Sequence, residues 1–271
     1  MSINALVHDD TPVFFYQVSQ WEPIHRQVLY RVLLPTRLMA QYGIDPITLT
    51  NQAGEPAVQI ACSTDTHLFS ISIWRRSDDQ DPLMILEMGD TVFNRIEAIW
   101  LATNDPESPR FDVDRDGSGR STLLGTARRN LEAEEAAMRA GLAPGQVRRG
   151  LRVFSRLLWR LETFMACMNQ RELVVEPLAY HNAILFERHG FAYASGQRRM
   201  EWIHQAFRPG GELYARLDSS TPFRQPEMAA TVRGRSWAIH DGILEEPWGG
   251  IKMVKRIGYE ANVETFPGGP W

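Results

Sequence analysis

The segment from residue 171 to residue 191 constrains the fold of this chain more than any other. It opens with a short β-branched apolar run at residues 173–175, which predicts a buried strand. Pro177 ends that strand, because proline lacks the N–H group that a strand ladder needs. Residues 181–190 then place apolar side chains at helical spacing and stop at a glycine, which predicts a helix, and Phe191 begins another strand. The segment therefore predicts a strand-helix-strand unit.

Several residues of this unit match a known family pattern: Asn182, Ala183, Leu185, Phe186, Glu187, Gly190 and Phe191. The segment resembles the C-terminal motif of the GCN5-related N-acetyltransferases, in which a strand, an Asn, a helix ending in an aromatic residue and then Gly-Phe follow one another. The resemblance implies an α+β fold (α/β/α layered), with a mixed sheet and flanking helices. It also implies transfer of an acyl group from acetyl-CoA or another acyl-CoA to a small-molecule amine.

The resemblance assigns cofactor binding to a segment that overlaps the start of the longest predicted helix, although the family needs open backbone there. In the family, backbone N–H groups of a glycine-bearing loop hold the pyrophosphate of acyl-CoA, which is the anion chemistry of helix N-termini. The corresponding residues here are Gln146, Arg148, Arg149 and Gly150. By the same resemblance, Asn182 is expected near the pantetheine.

Three positions depart from the family pattern. Val147 stands where Arg or Gln is usual, and Arg152 replaces the second small residue of the loop. Phe186 occupies the position of the tyrosine that many family members use as general acid, and phenylalanine has no proton to donate. These departures favour an alternative, in which the chain is a catalytically silent acetyltransferase-like binding or assembly module.

Acyl transfer to an amine needs a base that takes the amine proton and an acid that protonates the departing thiolate. Glu87 and Glu97, on predicted strands, are the candidate bases. Tyr193 is the candidate acid, with Tyr180 as a second choice. The competing interpretation is that the carboxylates are exposed strand residues and the tyrosines are aromatic residues of the core or its rim.

Composition limits the partners and the compartment. A net charge of -4 gives no overall attraction for nucleic acid or anionic lipid, so neither is an expected partner. The two cysteines, Cys62 and Cys167, suggest neither a disulfide framework nor a zinc site. No apolar run reaches membrane-spanning length. We therefore expect a cytoplasmic protein.

A metal site is not expected. Asp112, Asp114 and Asp116 resemble the first half of an EF-hand loop, but the twelfth position, which needs a bidentate Glu, is Leu123. An Asp-rich turn is the favoured interpretation. The sequence contains neither an HExxH nor a Cys-x-x-Cys pattern. A hydrolase or metal-dependent enzyme whose site is scattered over the loops remains a third alternative.

The remaining elements follow from periodicity. Residues 23–42 predict two short helices or one helix kinked at Pro35. Four runs predict an antiparallel meander: residues 58–61, 68–74, 83–86 and 96–102. Helices are also predicted from Ser121 or Thr122 to Arg139 and, on an apolar stripe, from Val147 to Met168. Residues 200–203 read as a further strand.

These elements suggest a domain division and one basic ridge. We expect an acetyltransferase-like domain at residues 1–205, with an inserted helix near 121–140, and an irregular extension at 206–271, rich in Gly, Pro and aromatic residues, that could join two copies in a homodimer. Arg148, Arg152, Arg156 and Arg160 recur every four residues. They form either a ridge that binds the 3′-phosphate of a cofactor or the phosphates of nucleic acid, or, as we favour, a solvated or salt-bridged face that meets Glu132, Glu134 and Glu135.

Overall fold

The computed structural model describes residues 11–63, 65–123, 125 and 127–271, and it shows a mixed α+β protein. The helices are α1 Phe15–Val18, α2 Pro23–Arg31, α3 Thr36–Gln41, α4 Leu131–Arg139, α5 Phe154–Cys167, α6 Tyr180–Glu187, α7 Gln197–Ala206, α8 Glu212–Ala215 and α9 Val232–His240, with a 3-10 helix at Pro226–Ala230. The strands are β1 Val58–Cys62, β2 Leu68–Ile73, β3 Met84–Asp90, β4 Ile96–Thr103, β5 Glu172–Val175, β6 Ala192–Ser195 and β7 Lys252–Arg256. Together the strands make a seven-stranded mixed sheet.

The chain divides into two compact units, each built from separate segments. Unit 1 comprises the described residues up to Pro106 together with Gly150–Val175 and Lys255–Tyr259. Unit 2 comprises Glu107–Arg149, Glu176–Val254 and Glu260–Trp271. The division at residue 205 that the sequence suggested stays a prediction.

Unit 1 contains the predicted meander. β1, β2, β3 and β4 pair antiparallel in chain order, and β5 then joins β4 in parallel. At the far edge of β5, the N–H group of Ile257, next after β7, donates to the carbonyl of Arg171 at 2.9 Å. The antiparallel meander is therefore confirmed.

The core of unit 1 lies on one face of this meander. Alternation places Phe69, Ile71 and Ile73 of β2 on that face, where α1, α2, α3 and α5 cover them. The ring of Phe69 stacks on that of Phe15 at 5.0 Å, and the ring of Phe164 lies 6.0 Å from Phe69. α5 therefore packs on the core face of the sheet, where its Phe164 contacts Phe69 of β2.

β4 pairs irregularly with both of its neighbours, β5 and β3. The parallel ladder joins Ile96, Glu97 and Ala98 of β4 to β5, and residues 99–103 of β4 continue past its end. On its other side, β4 carries a β-bulge at Ile99, because Ala98 pairs with Met88 while Trp100 already pairs with Glu87. Bulges of this kind re-aim side chains and often lie beside functional sites.

Unit 2 contains the strand-helix-strand motif from α6 onward. Gly190 takes a left-handed φ of 76° just after α6, as the predicted glycine stop requires. β6 then pairs antiparallel with β7. A separate small core packs Val113 and Phe223 against Trp237, whose indole N–H donates to the carbonyl of Leu142 at 2.8 Å.

Several predicted elements are wrong in this part of the chain. Residues 200–203 lie in α7, where Met200 and Ile203 are buried on one side of a helix, and the strand that pairs with β6 is β7. The irregular structure expected for residues 206–271 is replaced by α8, a 3-10 helix, α9 and β7. The inserted helix begins at Leu131, since Asn130 caps it by accepting a hydrogen bond from the N–H of Ala133.

The long helix is also shorter than predicted. α5 begins at Phe154, so residues 147–153 form a loop. Val147 is apolar because it packs against the small core of unit 2, which explains why it appeared to continue the helical stripe. The glycine-bearing stretch is therefore not helical.

Candidate functional site

The loop that directly precedes α5, residues 150–153, lies at the end of β4 in unit 1. The N–H group of Leu151 donates to the hydroxyl oxygen of Thr103, the last residue of β4, at 3.1 Å. This bond ties the loop to the strand. Arg152 follows with a φ of 55°, in the left-handed region. A left-handed residue next to residues of ordinary φ turns successive N–H groups towards one point and makes a concave site for an anion.

The backbone of this loop offers donors. Within the described residues, the N–H groups of Gly150, Arg152 and Val153 have no hydrogen-bond acceptor. These three groups directly precede α5, whose dipole adds positive potential at that end. The loop therefore presents three main-chain donors that no described acceptor uses.

Gly150 is not required by its own surroundings. A Cβ atom built on it would lie 3.5 Å from the hydroxyl oxygen of Thr103, an ordinary van der Waals contact, and its φ is not left-handed. A glycine here is consistent with close approach of a ligand to the main chain.

Glu87 and Glu97 lie on the face of the meander opposite the core of unit 1. Glu87 pairs directly with Trp100 across the β3–β4 ladder, and Glu97 pairs with Gly89. The two glutamates therefore flank the bulge at Ile99 on one face of the sheet. Both are half-buried, and neither has a cationic partner among the described residues. They are available to take a proton.

The other predicted cofactor residues lie in unit 2. The side-chain oxygen of Gln146 accepts a hydrogen bond from the N–H of Ala143 at 2.7 Å. Arg148 donates to the carbonyl of Ser108 at 2.5 Å, and the N–H of Arg149 donates to the hydroxyl of Ser108 at 3.2 Å. Ser108 thus fixes this end of the loop. Asn182 is half-buried in the first turn of α6.

Tyr193 is held in a buried hydrogen-bond cluster of unit 2. Its hydroxyl donates to the carboxylate of Glu187, which also accepts from the N–H and the hydroxyl of Thr265 at 2.9 and 2.6 Å. Burial and the nearby carboxylate raise the pKa of Tyr193. Burial likewise raises the pKa of Tyr180, to about 12. Neither hydroxyl is poised as an acid near neutral pH.

The Asp-rich loop is a turn, as favoured from the sequence. Asp116 accepts hydrogen bonds from the N–H groups of Ser118 and Arg120 at 2.9 and 3.0 Å, and Arg110 pairs with Asp112 and Asp114. Across the described ranges, no three His, Cys, Asp or Glu side chains are grouped so as to hold a metal ion.

Two of the three acidic residues expected opposite the arginine ridge, Glu134 and Glu135, are engaged within unit 2, and Glu132 is exposed. The carboxylate of Glu134 pairs with Arg129 and lies 3.3 Å from the imidazole of His240, and Glu135 pairs with Arg139. Burial alone would raise the pKa of Glu134, but the hydrogen bonds from His240 and Arg129 lower it overall. These carboxylates are committed to a structural network.

Sequence reasoning missed Thr103, the bulge at Ile99 and Trp159. Thr103 and the bulge gave no local signal, since both depend on pairing with distant residues. Trp159 did give one, because it is an aromatic residue that lies off the apolar stripe of α5.

Comparison with known proteins yields no relative. No protein-family model, no curated protein and no solved structure matches this chain. No helix in the described part of the chain has the length and apolar character needed to cross a membrane.

Proposed function

We propose that this protein is an acyl-CoA-dependent N-acyltransferase of the GCN5-related type, which transfers an acyl group from acyl-CoA to an amine. The observation that carries the proposal is the loop at residues 150–153, with three unpaired N–H groups at the end of β4. Helices followed by a meander begin a domain of this family, and the strand-helix-Gly-Phe-strand motif comes later in the chain, as it does here.

The loop fits the pyrophosphate of acyl-CoA. Main-chain N–H groups of Gly150, Arg152 and Val153 would bind its anionic oxygens, and the glycine leaves space for close approach. The assignment of Gln146, Arg148, Arg149 and Asn182 to cofactor binding stays a prediction from the family resemblance. The bound thioester supplies the electrophilic acyl carbon.

The glutamates beside the bulge supply the base. In the proposed reaction, Glu97 or Glu87 takes a proton from the ammonium form of the acceptor, directly or through a water molecule. The freed nitrogen lone pair attacks the acyl carbon and forms the C–N bond, and the C–S bond breaks. The nitrogen then releases its second proton to solvent, which leaves a neutral amide. The thiolate takes a proton from solvent, because the Tyr193 hydroxyl donates to Glu187 instead.

The second candidate is the silent binding or assembly module. Two observations favour it: Phe186 replaces a hydroxyl-bearing residue, and the hydroxyl of Tyr193 is engaged with Glu187. The module would bind acyl-CoA without transferring the acyl group. Binding and turnover therefore have to be measured separately.

Binding is tested with Gly150→Ala. The variant should fold as the wild type does, because the added Cβ makes only an ordinary contact with Thr103. Isothermal titration should show acetyl-CoA affinity at least about tenfold weaker, since a methyl group would block hydrogen bonds to a charged phosphate. Gly117→Ala is the matched control, because no atom lies within 4 Å of its added Cβ. Equal affinities in wild type and Gly150→Ala, or no binding by the wild type at millimolar ligand, would refute the proposed site.

Turnover is tested by release of free thiol from acetyl-CoA with a diamine, an aminoglycoside and a peptide bearing a free N-terminus. Glu97→Gln and Glu87→Gln are compared, and loss of the true base should lower kcat by about 100-fold or more. Binding without thiol release from any acceptor supports the silent module.

A further inference from the structure

One face of α5 carries an exposed tryptophan between arginines. The side chain of Trp159 is 63% exposed, which is unusual for the largest apolar residue type. Its helix buries Leu158, Leu161 and Phe164 on the opposite side, so Trp159 contributes little to the core. An exposed aromatic ring on a rigid helix is a surface on which another flat ring can stack.

Arg160 lies over the indole ring of Trp159. The guanidinium of Arg160 lies 6.0 Å from the centre of the indole ring. Arg160 is itself fixed, because it donates to the carbonyl of Val32 at 3.0 Å and to the hydroxyl of Thr36 at 3.3 Å. The indole ring is therefore supported at one face, while its exposed fraction leaves surface for a ligand.

Positive charge without a counter-charge lies beside the indole ring. Arg152 and Arg156 are exposed, and neither forms an ion pair with any described residue. Arg156 is three residues before Trp159, so the two side chains are neighbours on the helix surface. Of the solvated or salt-bridged face favoured from the sequence, these two arginines show the solvated form, since they are exposed and form no ion pair with a described residue.

The geometry of a helix aims this face at the loop. Side chains on a helix lean towards its N-terminus, so Arg156 and Trp159 lean towards residues 150–153. Trp159 stands five residues after the first residue of α5, about 7.5 Å along the helix axis. A phosphate at the loop, a second phosphate at Arg156 and a purine on Trp159 would follow one another along one surface.

We propose that this face binds the adenosine 3′-phosphate end of CoA, with the adenine stacked on Trp159 and the 3′-phosphate bound by Arg156. The proposal rests on the proposed function, and it adds what that function leaves open: why the chain would prefer CoA to a donor that lacks the 3′-phosphate. Arg152, within the loop at residues 150–153, adds positive charge between the proposed positions of the pyrophosphate and the 3′-phosphate.

The experiment measures four ligands by isothermal titration with the full chain: CoA, dephospho-CoA, adenosine 3′,5′-bisphosphate and pantetheine. Wild type should bind CoA about tenfold more tightly than dephospho-CoA, the value of one charge-assisted contact. Arg156→Ala should abolish that difference by weakening CoA alone. Arg37→Ala, which removes an exposed arginine of α3 without an ion pair in the described chain, is the matched control.

Trp159 is tested separately. Trp159→Ala should weaken CoA and adenosine 3′,5′-bisphosphate about tenfold and leave pantetheine unchanged, because stacking on the base is lost. Trp159→Phe keeps a ring and should restore most of that affinity. The thermal midpoints of all variants should stay near that of wild type, since the residues are exposed.

The outcomes separate the two proposals. If CoA binds and Gly150→Ala weakens it, but Arg156→Ala and Trp159→Ala change nothing, the adenosine site is refuted and the proposed function stands. If wild type binds none of the four ligands, both fail. If a single-stranded oligonucleotide binds through Arg156 and Trp159 while CoA does not, the face is a nucleic-acid surface and the proposal is refuted.

Discussion

Replacement of His181 should change how the stability of this protein depends on pH. His181 is 5% exposed in α6, and its Nδ1 atom lies 2.9 Å from the hydroxyl oxygen of Ser236 on α9. Burial lowers the pKa of His181 to about 3, and the positive charges of His240 and Arg233 act in the same direction. The imidazole is therefore neutral in the folded protein across the pH range of most assays.

The direction and the size of this pH dependence follow from the linkage between proton binding and unfolding. An unfolded histidine has a pKa near 6.5, so between pH 6.5 and pH 3 the unfolded chain binds a proton that the folded protein does not. Stability from this group is fully present above pH 6.5 and is lost as the pH falls towards 3. At pH 5.5 the loss is about 1.4 kcal/mol, because the unfolded histidine is then one pH unit below its pKa.

The assay is urea unfolding at pH 7.5 and pH 5.5 for wild type and His181→Asn. Asparagine can hydrogen-bond to Ser236 but does not titrate, so the variant should lose about 1.4 kcal/mol less than wild type between the two pH values. Burial also lowers the pKa of His204, which therefore contributes to both proteins and cancels in the difference. His25→Asn, at a half-buried histidine of α2, is measured in parallel as the matched His-to-Asn substitution. Equal pH dependence in His181→Asn and wild type would refute the reasoning.

Two further substitutions test the packing of unit 2. Gly234→Ala should cost about 2 kcal/mol in urea unfolding, because the added Cβ would lie 2.5 Å from the backbone oxygen of Met228, whereas Gly117→Ala meets no atom within 4 Å and should be neutral. Glu134→Gln should cost about 2–3 kcal/mol, because it leaves the partly buried guanidinium of Arg129 without one of its two carboxylates. A thermal or urea midpoint unchanged by either of these two substitutions would contradict the corresponding contact.

The meander could be predicted because burial is one-sided there. In β2, Phe69 and Ile71 enter the core while Ser70 and Ser72 face away, so the sequence alternates with the period of a strand. The motif around α6 was predictable for a different reason. Its boundaries are set by Pro177 and by Gly190, whose left-handed φ suits glycine, and both effects are local to the sequence.

The wrong predictions concern apolar residues that are buried in a different kind of structure from the one predicted. Val147 lies in a loop and packs against the small core of unit 2. Its apolar side chain stands in register with the apolar stripe of α5, so the sequence wrongly predicted a helix that begins at Val147. Met200 and Ile203 are three residues apart, which fits the buried side of a helix as well as a short apolar strand. Periodicity over four residues cannot separate these cases.

In the candidate site too, local sequence patterns predicted which residues belong to it, whereas their positions depend on contacts with distant parts of the chain. Gly150 was found by its resemblance to a loop motif, and Glu87 and Glu97 by their place on predicted strands. Their placement beside the Ile99 bulge, however, depends on a shift in the β3–β4 pairing that no local pattern encodes. The function of the arginine series depends likewise on which carboxylates are already engaged. Glu134 and Glu135 pair inside unit 2, and Arg156 is exposed without an ion pair to any described residue, which the spacing of the arginines alone does not reveal.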